Sequence, residues 1–324
     1  DIGQVMGIVV TFWFWMTPVG INNYVNKVSL QLAADSPELL TSIGLIDNTF
    51  LDFHSGKLAD YTLEGENRSL VKLRQARAGL DAYGPDGLEG QELLTWKITA
   101  WFFDDLLRQA EHRYSGYRVN QISGIAVSMP EFLTDTHVII DRRSAERYLS
   151  RLREFGRVLR ETWVRVIDDR EHGVVPPDFI IEKALVGMRK FIAGGAADNV
   201  LVTSLPGRLA ALEELDRETR TTMMQEAEKI VGDQVIPGYE AIIAMFEDMG
   251  SNANHDAGIW RLPNGEAIYR DNLRSSTTTD YTPDEIYRTG LGEIERIETE
   301  MHLILDRQDV PAGELGARVR LVME

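Results

Sequence analysis

From Ile2 to Asn26 the chain carries 25 consecutive residues without a formal charge, and Val5 to Met16 is apolar apart from Gly7 and Thr11. Such a run must be surrounded either by protein core or by hydrocarbon. A bilayer-spanning helix needs roughly 20 mainly apolar residues, so the run is long enough when its polar end, Thr17 to Asn23, lies among headgroups. Trp13 and Trp15 flank Phe14 just ahead of Pro18 and Asn22-Asn23, where an aromatic belt meets the membrane surface, and Lys27 is the first charge beyond it. The expectation is a single transmembrane anchor and interface segment over residues 1–26, with its interface at Trp13, Trp15 and Lys27, and a separate domain over residues 27–324. An aromatic-rich helix buried in a soluble core is the other reading of the same run. A cleaved secretion signal is disfavoured, because no small-residue cleavage site follows.

The rest of the chain is ordinary in composition. Its 324 residues are 44% hydrophobic and 26% charged, enough to bury a sizeable core. A net charge of -17 spread along the chain repels phosphate backbones, so nucleic-acid binding is not expected. Cysteine is absent, which removes disulfides, thiolate nucleophiles and Cys-ligated zinc.

Periodicity and capping signals predict a mainly helical fold. Ser36-Pro37-Glu38 reads as cap, first position and first-turn acid of a helix. Phe53 to Ser69 reads as loop, followed by helices over residues 70–80 and 90–113, the latter with Trp96, Trp101, Phe102, Leu106 and Leu107 as its core stripe. The strongest amphipathic pattern runs from Ser144 to Glu171, with Tyr148, Leu149, Leu152, Phe155, Leu159, Trp163, Val166 and Ile167 at spacings of three and four. Further helices are expected from Pro177, over residues 205–231 and from Pro237. Thr282, Pro283 and Glu285 form a capping box that opens a helix running to about Asp306.

Between these helices, Pro263-Asn264-Gly265 and three threonines at 277–279 predict a small β-hairpin near 258–280. A hairpin edge can pair with a peptide, so Trp260, Tyr269, Arg274 and Thr278 are the candidate substrate-binding residues. The same residues also suit packing beneath the hairpin, with Arg274 paired to an acid. No catalytic constellation is present. The six histidines, His54, His112, His137, His172, His255 and His302, are nowhere three to five apart, the spacing that puts two imidazoles on one helical face around zinc. The neighbouring acids Asp104-Asp105 and Asp168-Asp169 diverge on a helix and suit solvent or arginine partners better than acid/base catalysis.

Four phrases, "HGVVPPDFIIEKAL", "VIPGYEAI", "GIWRLPNGEAIY" and "TTTDYTPDEIYRTGLGEIERIETEM", together resemble the bacterial family catalogued as domain of unknown function 885, and "DSPELLTSIGLID" and "DFHSGKLADYT" resemble its membrane-tethered members. The resemblance implies a gluzincin-like, mainly helical domain on the periplasmic side of a bacterial inner membrane, with zinc-dependent peptidase activity in the family. The family's H-E-x-x-x-G-H-H motif lies beyond the region matched by this chain, and Tyr287 stands where members often have His. No cofactor is therefore assigned within the chain, and zinc enters only with a further C-terminal half. The expected partners are the lipid bilayer and a peptide substrate. The alternative role is a non-catalytic accessory subunit of a larger integral membrane complex, respiratory or photosynthetic.

Overall fold

A computed structural model describes residues 18–44 and 46–323. Most of the apolar run, including Trp13 and Trp15, lies outside the described residues, and so does the core of the expected membrane helix. Among the described residues no helix is long and apolar enough to cross a membrane. The fold is helical, and the only β-pairing among them is an isolated bridge between Val119 and Gly124. Two compact units are present, one ending at Gly265 and the other Glu266–Glu324.

The larger unit begins with α1 (Ile21–Ala33) and α2 (Pro37–Ile43). Helix α1 buries Ile21, Tyr24 and Val28 against Leu73, Ala76 and Leu80 of α3 (Leu63–Asp81) and Ala100 and Phe103 of α4 (Gly90–Glu111). The Tyr24 hydroxyl satisfies itself by donating to the Ala76 carbonyl at 2.6 Å, as a buried phenol must. In α4 the buried aromatic is Phe103, whereas Phe102 and Leu106 of the expected stripe are exposed.

The main core surrounds a 30-residue helix, α6 (Arg142–Glu171), which follows α5 (Ile125–Glu131) and a π-helical turn, Phe132–Thr136. Asp141 caps α6 by accepting from the Ser144 amide at 2.7 Å, while the Ser144 hydroxyl receives the Asp141 amide. The cap sets the start of the helix ahead of the Ser144 expected from periodicity. Leu152, Phe155 and Leu159 are fully buried, each contributing on the order of 2 kcal/mol through burial. Around them pack α7 (Asp178–Ile192), α8 (Val200–Thr203), α9 (Leu205–Ala210), α10 (Arg217–Ile230), a second π-helical turn (Val231–Val235) and α11 (Ile236–Gly250).

Three expectations are corrected. The loop over 53–69 ends early, because Thr62 caps α3 by accepting from the Gly65 amide at 3.0 Å. Gly65 misleads a sequence reading: its missing Cβ leaves room for Asp60 to lie against the helix start. The helix over 205–231 is broken at 211–216, where Asp216 opens α10 by accepting from the Thr219 amide at 2.7 Å. The β-hairpin does not form. Residues 259–261 make a 3-10 turn and Gly265–Thr277 is helix α12. The turn chemistry is real, since Asn264 has φ 58, but it leads into a helix supported by a Glu266–Arg270 ion pair of 2.7 Å one turn apart. The threonine run ends that helix, with Thr278 at φ 54.

In the smaller unit, α12 is followed by α13 (Pro283–Arg307) and α14 (Leu315–Met323). Thr282 and Glu285 form the expected capping box, each side chain accepting from the other's amide. Arg318 of α14, almost fully buried, donates to Asp306 Oδ1 at 2.6 Å and to the Val310 carbonyl at 2.9 Å, closing the end of α13.

One buried cation ties the larger unit together. Arg151, fully buried in the middle of α6, donates to the Lys57 carbonyl (3.1 Å), His137 Nδ1 (2.8 Å) and Thr41 Oγ1 (2.7 Å), and lies 4.8 Å over the Phe132 ring. Burial pulls its pKa down to about 10, yet it stays protonated at neutral pH. Replacing it leaves several buried partners unsatisfied. Arg151→Leu should lower unfolding stability by about 3 kcal/mol, read from the denaturant midpoint, and an unchanged midpoint would remove Arg151 from this role.

Candidate functional site

The densest polar site lies where loop 46–61 meets α6, and three arginines of that helix hold the loop. Arg147 donates to Asp52 and to the Asp52 carbonyl (2.7 Å), Arg151 to Lys57, and Arg157 to the carbonyls of Leu58 (3.2 Å) and Ala59 (3.0 Å). Arg157 is itself anchored by Glu161 at 2.7 Å, and Glu161 accepts from the Tyr61 amide at 3.0 Å. Spacings of four and six along α6 bring these side chains to the flank that the loop then covers.

Within this loop Asp47, Asp52 and His54 bring three ligand-type atoms within 4.8 Å of one another. Sequence reasoning tested histidine spacing on helices and missed this cluster, whose signal was the run of two aspartates and a histidine in a loop. Its geometry does not fit a metal centre. Asp52 accepts from the amides of Asn48 (2.8 Å), His54 (3.3 Å) and Ser55 (3.0 Å), from the Ser55 hydroxyl (2.7 Å) and from Arg147. Five donors occupy its lone pairs, and a cation there would face a guanidinium. The two ring nitrogens of His54 face different carboxylates: Nε2 is hydrogen-bonded to Asp47, while Nδ1 lies 3.3 Å from Asp52 without a hydrogen bond among the described residues. The carboxylates organise the loop.

Both buried histidines of this region are held neutral. His137 accepts from Arg151 at Nδ1, so its proton sits on Nε2 and is donated to the Ser144 carbonyl at 3.1 Å. Burial, then the Arg151 charge, lowers its pKa to about 3. Burial likewise lowers that of His54, against the opposing pull of Asp47. Neither imidazole is poised for proton transfer near neutral pH.

A second polar cluster joins α3 to the far end of α6. Glu66 receives Arg113 and Arg165 at 2.8 Å each, and Asp169 receives Arg118 at 2.8 Å. Tyr114 stacks on His172 with centroids 4.1 Å apart. Of the paired acids, Asp104 meets Arg77 at 2.6 Å, Asp105 meets Arg108 at 3.5 Å and Asp169 meets Arg118, whereas Asp168 accepts from the Tyr114 hydroxyl at 3.4 Å. These ion pairs fix helix ends, and within the second cluster Asp169 Oδ1 and Arg165 Nη1 remain buried without a hydrogen-bond partner among the described residues.

The sequence-derived site residues are not assembled by a hairpin. Trp260 lies in the 3-10 turn of the larger unit, 79% exposed, its ring folded back over Gly258. Tyr269 and Arg274 are on α12 and Thr278 just beyond it, all in the smaller unit. Arg274 pairs with Asp280 at 3.2 Å, as its structural reading required. Lys27 lies on α1, lining a cavity with Gln31, Asp35 and Lys72.

An exposed apolar surface lies on α13. Tyr287, Leu291, Ile294, Ile297, Met301 and Ile304 recur at three and four along one side of the helix, and all but the half-buried Met301 are 45–67% exposed. Only Leu305 of the helix is buried. Contiguous apolar surface of this kind marks an interaction face, and its mean spacing near 3.5 suits a second helix laid along it.

An all-helical domain organised by buried arginines, with an uncovered apolar seam, is the class that fold and site define. The chain belongs to the family described as bacterial protein of unknown function (DUF885), whose model matches residues 37–323. Its structure is similar to the crystal structure of a candidate lipoprotein from Colwellia psychrerythraea, at 20% identity and a TM-score of 0.73, covering 90% of this chain and 52% of that one. The chain thus spans about half the length of that protein. No curated protein sequence matches it.

The depressed histidine pKa values set a pH dependence. An imidazole whose folded pKa lies below its unfolded value binds its proton first in the unfolded chain, so its stabilisation is complete above the unfolded pKa and is lost as pH falls towards the folded one. For His137 that window runs from 6.5 down to about 3. Unfolding stability should drop by about 2 kcal/mol between pH 7 and pH 5 on this account, and His137→Gln, which keeps a donor and an acceptor, should flatten the slope. Denaturant titration at both pH values checks this, and an identical slope in the variant defeats it.

Proposed function

We propose that this chain is the N-terminal, non-metal-binding half of a membrane-tethered, peptidase-like protein, in which α13 docks the remainder of the family fold and the helices form one wall of a peptide cleft. The observation that carries the reading is the exposed seam of α13 in a chain that spans half of its structural neighbour. The saturated Asp52 supports it from the other side, since the best ligand cluster among the described residues suits a loop clamp. Zinc and the hydrolytic groups belong, on this reading, to the docked part. Exposed aromatic surface at Trp260 and Tyr269 supports a role for them in contacting peptide. The apolar run ahead of α1 supports attachment to a bacterial inner membrane with the helical body in the periplasm. The seam also suits an accessory subunit held by another chain, and one experiment separates the two roles.

The chain has no cysteine, so Ile294→Cys introduces a single thiol on the seam. In this chain alone the thiol should react rapidly with a maleimide. In the complete gene product it should react at least about tenfold more slowly, because the docked half covers it. Protection that appears only within a large membrane complex would favour the accessory role, and rapid reaction in every form would sink both. For the tether, the complete protein should stay in the membrane pellet after an alkaline carbonate wash, and its release would remove the membrane attachment.

A further inference from the structure

A groove of about 460 Å³ opens between α6 and the start of α11, well away from the α13 seam in sequence. Its origin is a local conflict in the chain. Pro237 cannot donate to the carbonyl one turn back, and the helix widens into the π-helical turn Val231–Val235 just before it. Gly238 then lets α11 close on Leu159, for a Cβ there would stand 2.9 Å from the leucine. One turn further along α6 the helices leave a gap, floored by Leu159, Trp163, Val164, Pro237 and Ala241. This explains why Trp163, the one large residue of the α6 stripe to do so, remains 38% exposed while Leu152, Phe155 and Leu159 are fully buried.

The rim is polar and unspent. Arg160 and Gln234 border the groove, and neither side chain engages a polar partner among the described residues. Asp233 also lines the groove, and its charge is paired with Lys229 at 3.2 Å. The other arginines of the middle of α6, Arg147, Arg151, Arg153 and Arg157, are all committed to carboxylates, carbonyls or a histidine. A groove of this size with an apolar floor and a few convergent donors has the character of a small-molecule site.

We infer that this groove binds a small carboxylate with an apolar body, the body lying on the Trp163 indole and the carboxylate accepting from the Arg160 guanidinium and the Gln234 amide. A guanidinium fork matches a carboxylate with two parallel hydrogen bonds, and the indole supplies apolar area at low conformational cost. A fatty acid and the C-terminus of an apolar peptide share this chemistry. The site is independent of the docking role given to α13.

The test follows the indole N–H resonances of the whole chain, with Trp163→Phe identifying the Trp163 signal. Octanoate, N-acetyl-Leu-Phe with a free carboxylate, and 1-octanol are titrated in turn. The Trp163 signal should shift saturably with at least one carboxylate, and the stronger of the two identifies the source. Arg160→Gln, a change at an exposed side chain, should weaken that binding by about tenfold, and 1-octanol should bind about tenfold more weakly than octanoate if the fatty acid is the ligand. A Trp163 signal unmoved by both carboxylates overturns the inference, and so does equal binding by the Arg160→Gln protein.

Discussion

A guanidinium buried without a facing carboxylate is the constraint around which the larger unit is arranged. Removing a charge from water is costly, so the surroundings of Arg151 have to present acceptors from every direction. They come from three separate parts of the chain: the 53–61 loop, α2, and the π-helical turn, which supplies the Phe132 ring at its start and His137 at its end. Each of these segments is short and would be loosely held alone. Their shared partner gives them a single arrangement, because a donor left unmade inside a protein costs more than a formed one contributes.

The same requirement sets the chemistry of the region. A guanidinium can only donate, so His137 must accept from it, which fixes the tautomer and disfavours a second proton. Arg318 repeats the device in the smaller unit, with His302 Nδ1 at 2.7 Å. The polar seam at the loop-bearing end of α6 therefore has the features of a framework, with a saturated Asp52, neutral imidazoles and arginines spent on backbone carbonyls, whereas at the far end Asp169 Oδ1 and Arg165 Nη1 are buried without a hydrogen-bond partner among the described residues. Reactive sites look different, with polar groups held in place but left unsatisfied. Such groups occur on this chain at the rim of the Trp163 groove, while α13 offers unsatisfied apolar surface instead.

Much of the helical architecture was legible because caps are local. Thr282 and Glu285 declare the start of α13 within four residues, and the exposed side chains around them neither help nor hinder. Most of the core stripe of α6 was equally readable from its spacing. The errors came where a residue served a distant purpose. Gly65 looked like a loop residue but makes room for Asp60. Pro263-Asn264-Gly265 was read as a hairpin turn, and Asn264 does adopt a left-handed conformation, but the following residues had helical ion pairing that alternation alone could not reveal. Phe102 and Phe103 are neighbours of equal hydrophobicity, and only the direction of α1 and α3 decides that Phe103 is buried.

The sequence by itself determined the fold class, the family and most of the helix starts, because propensity and capping act over one or two turns. Only the tertiary structure decided that Asp47, Asp52 and His54 meet in a loop clamp, that Arg151 gathers three segments, and that Trp163 stands open beside an arginine unpaired among the described residues. Those outcomes depend on which surfaces are removed from water together, and that is a property of the packed chain rather than of any stretch of it.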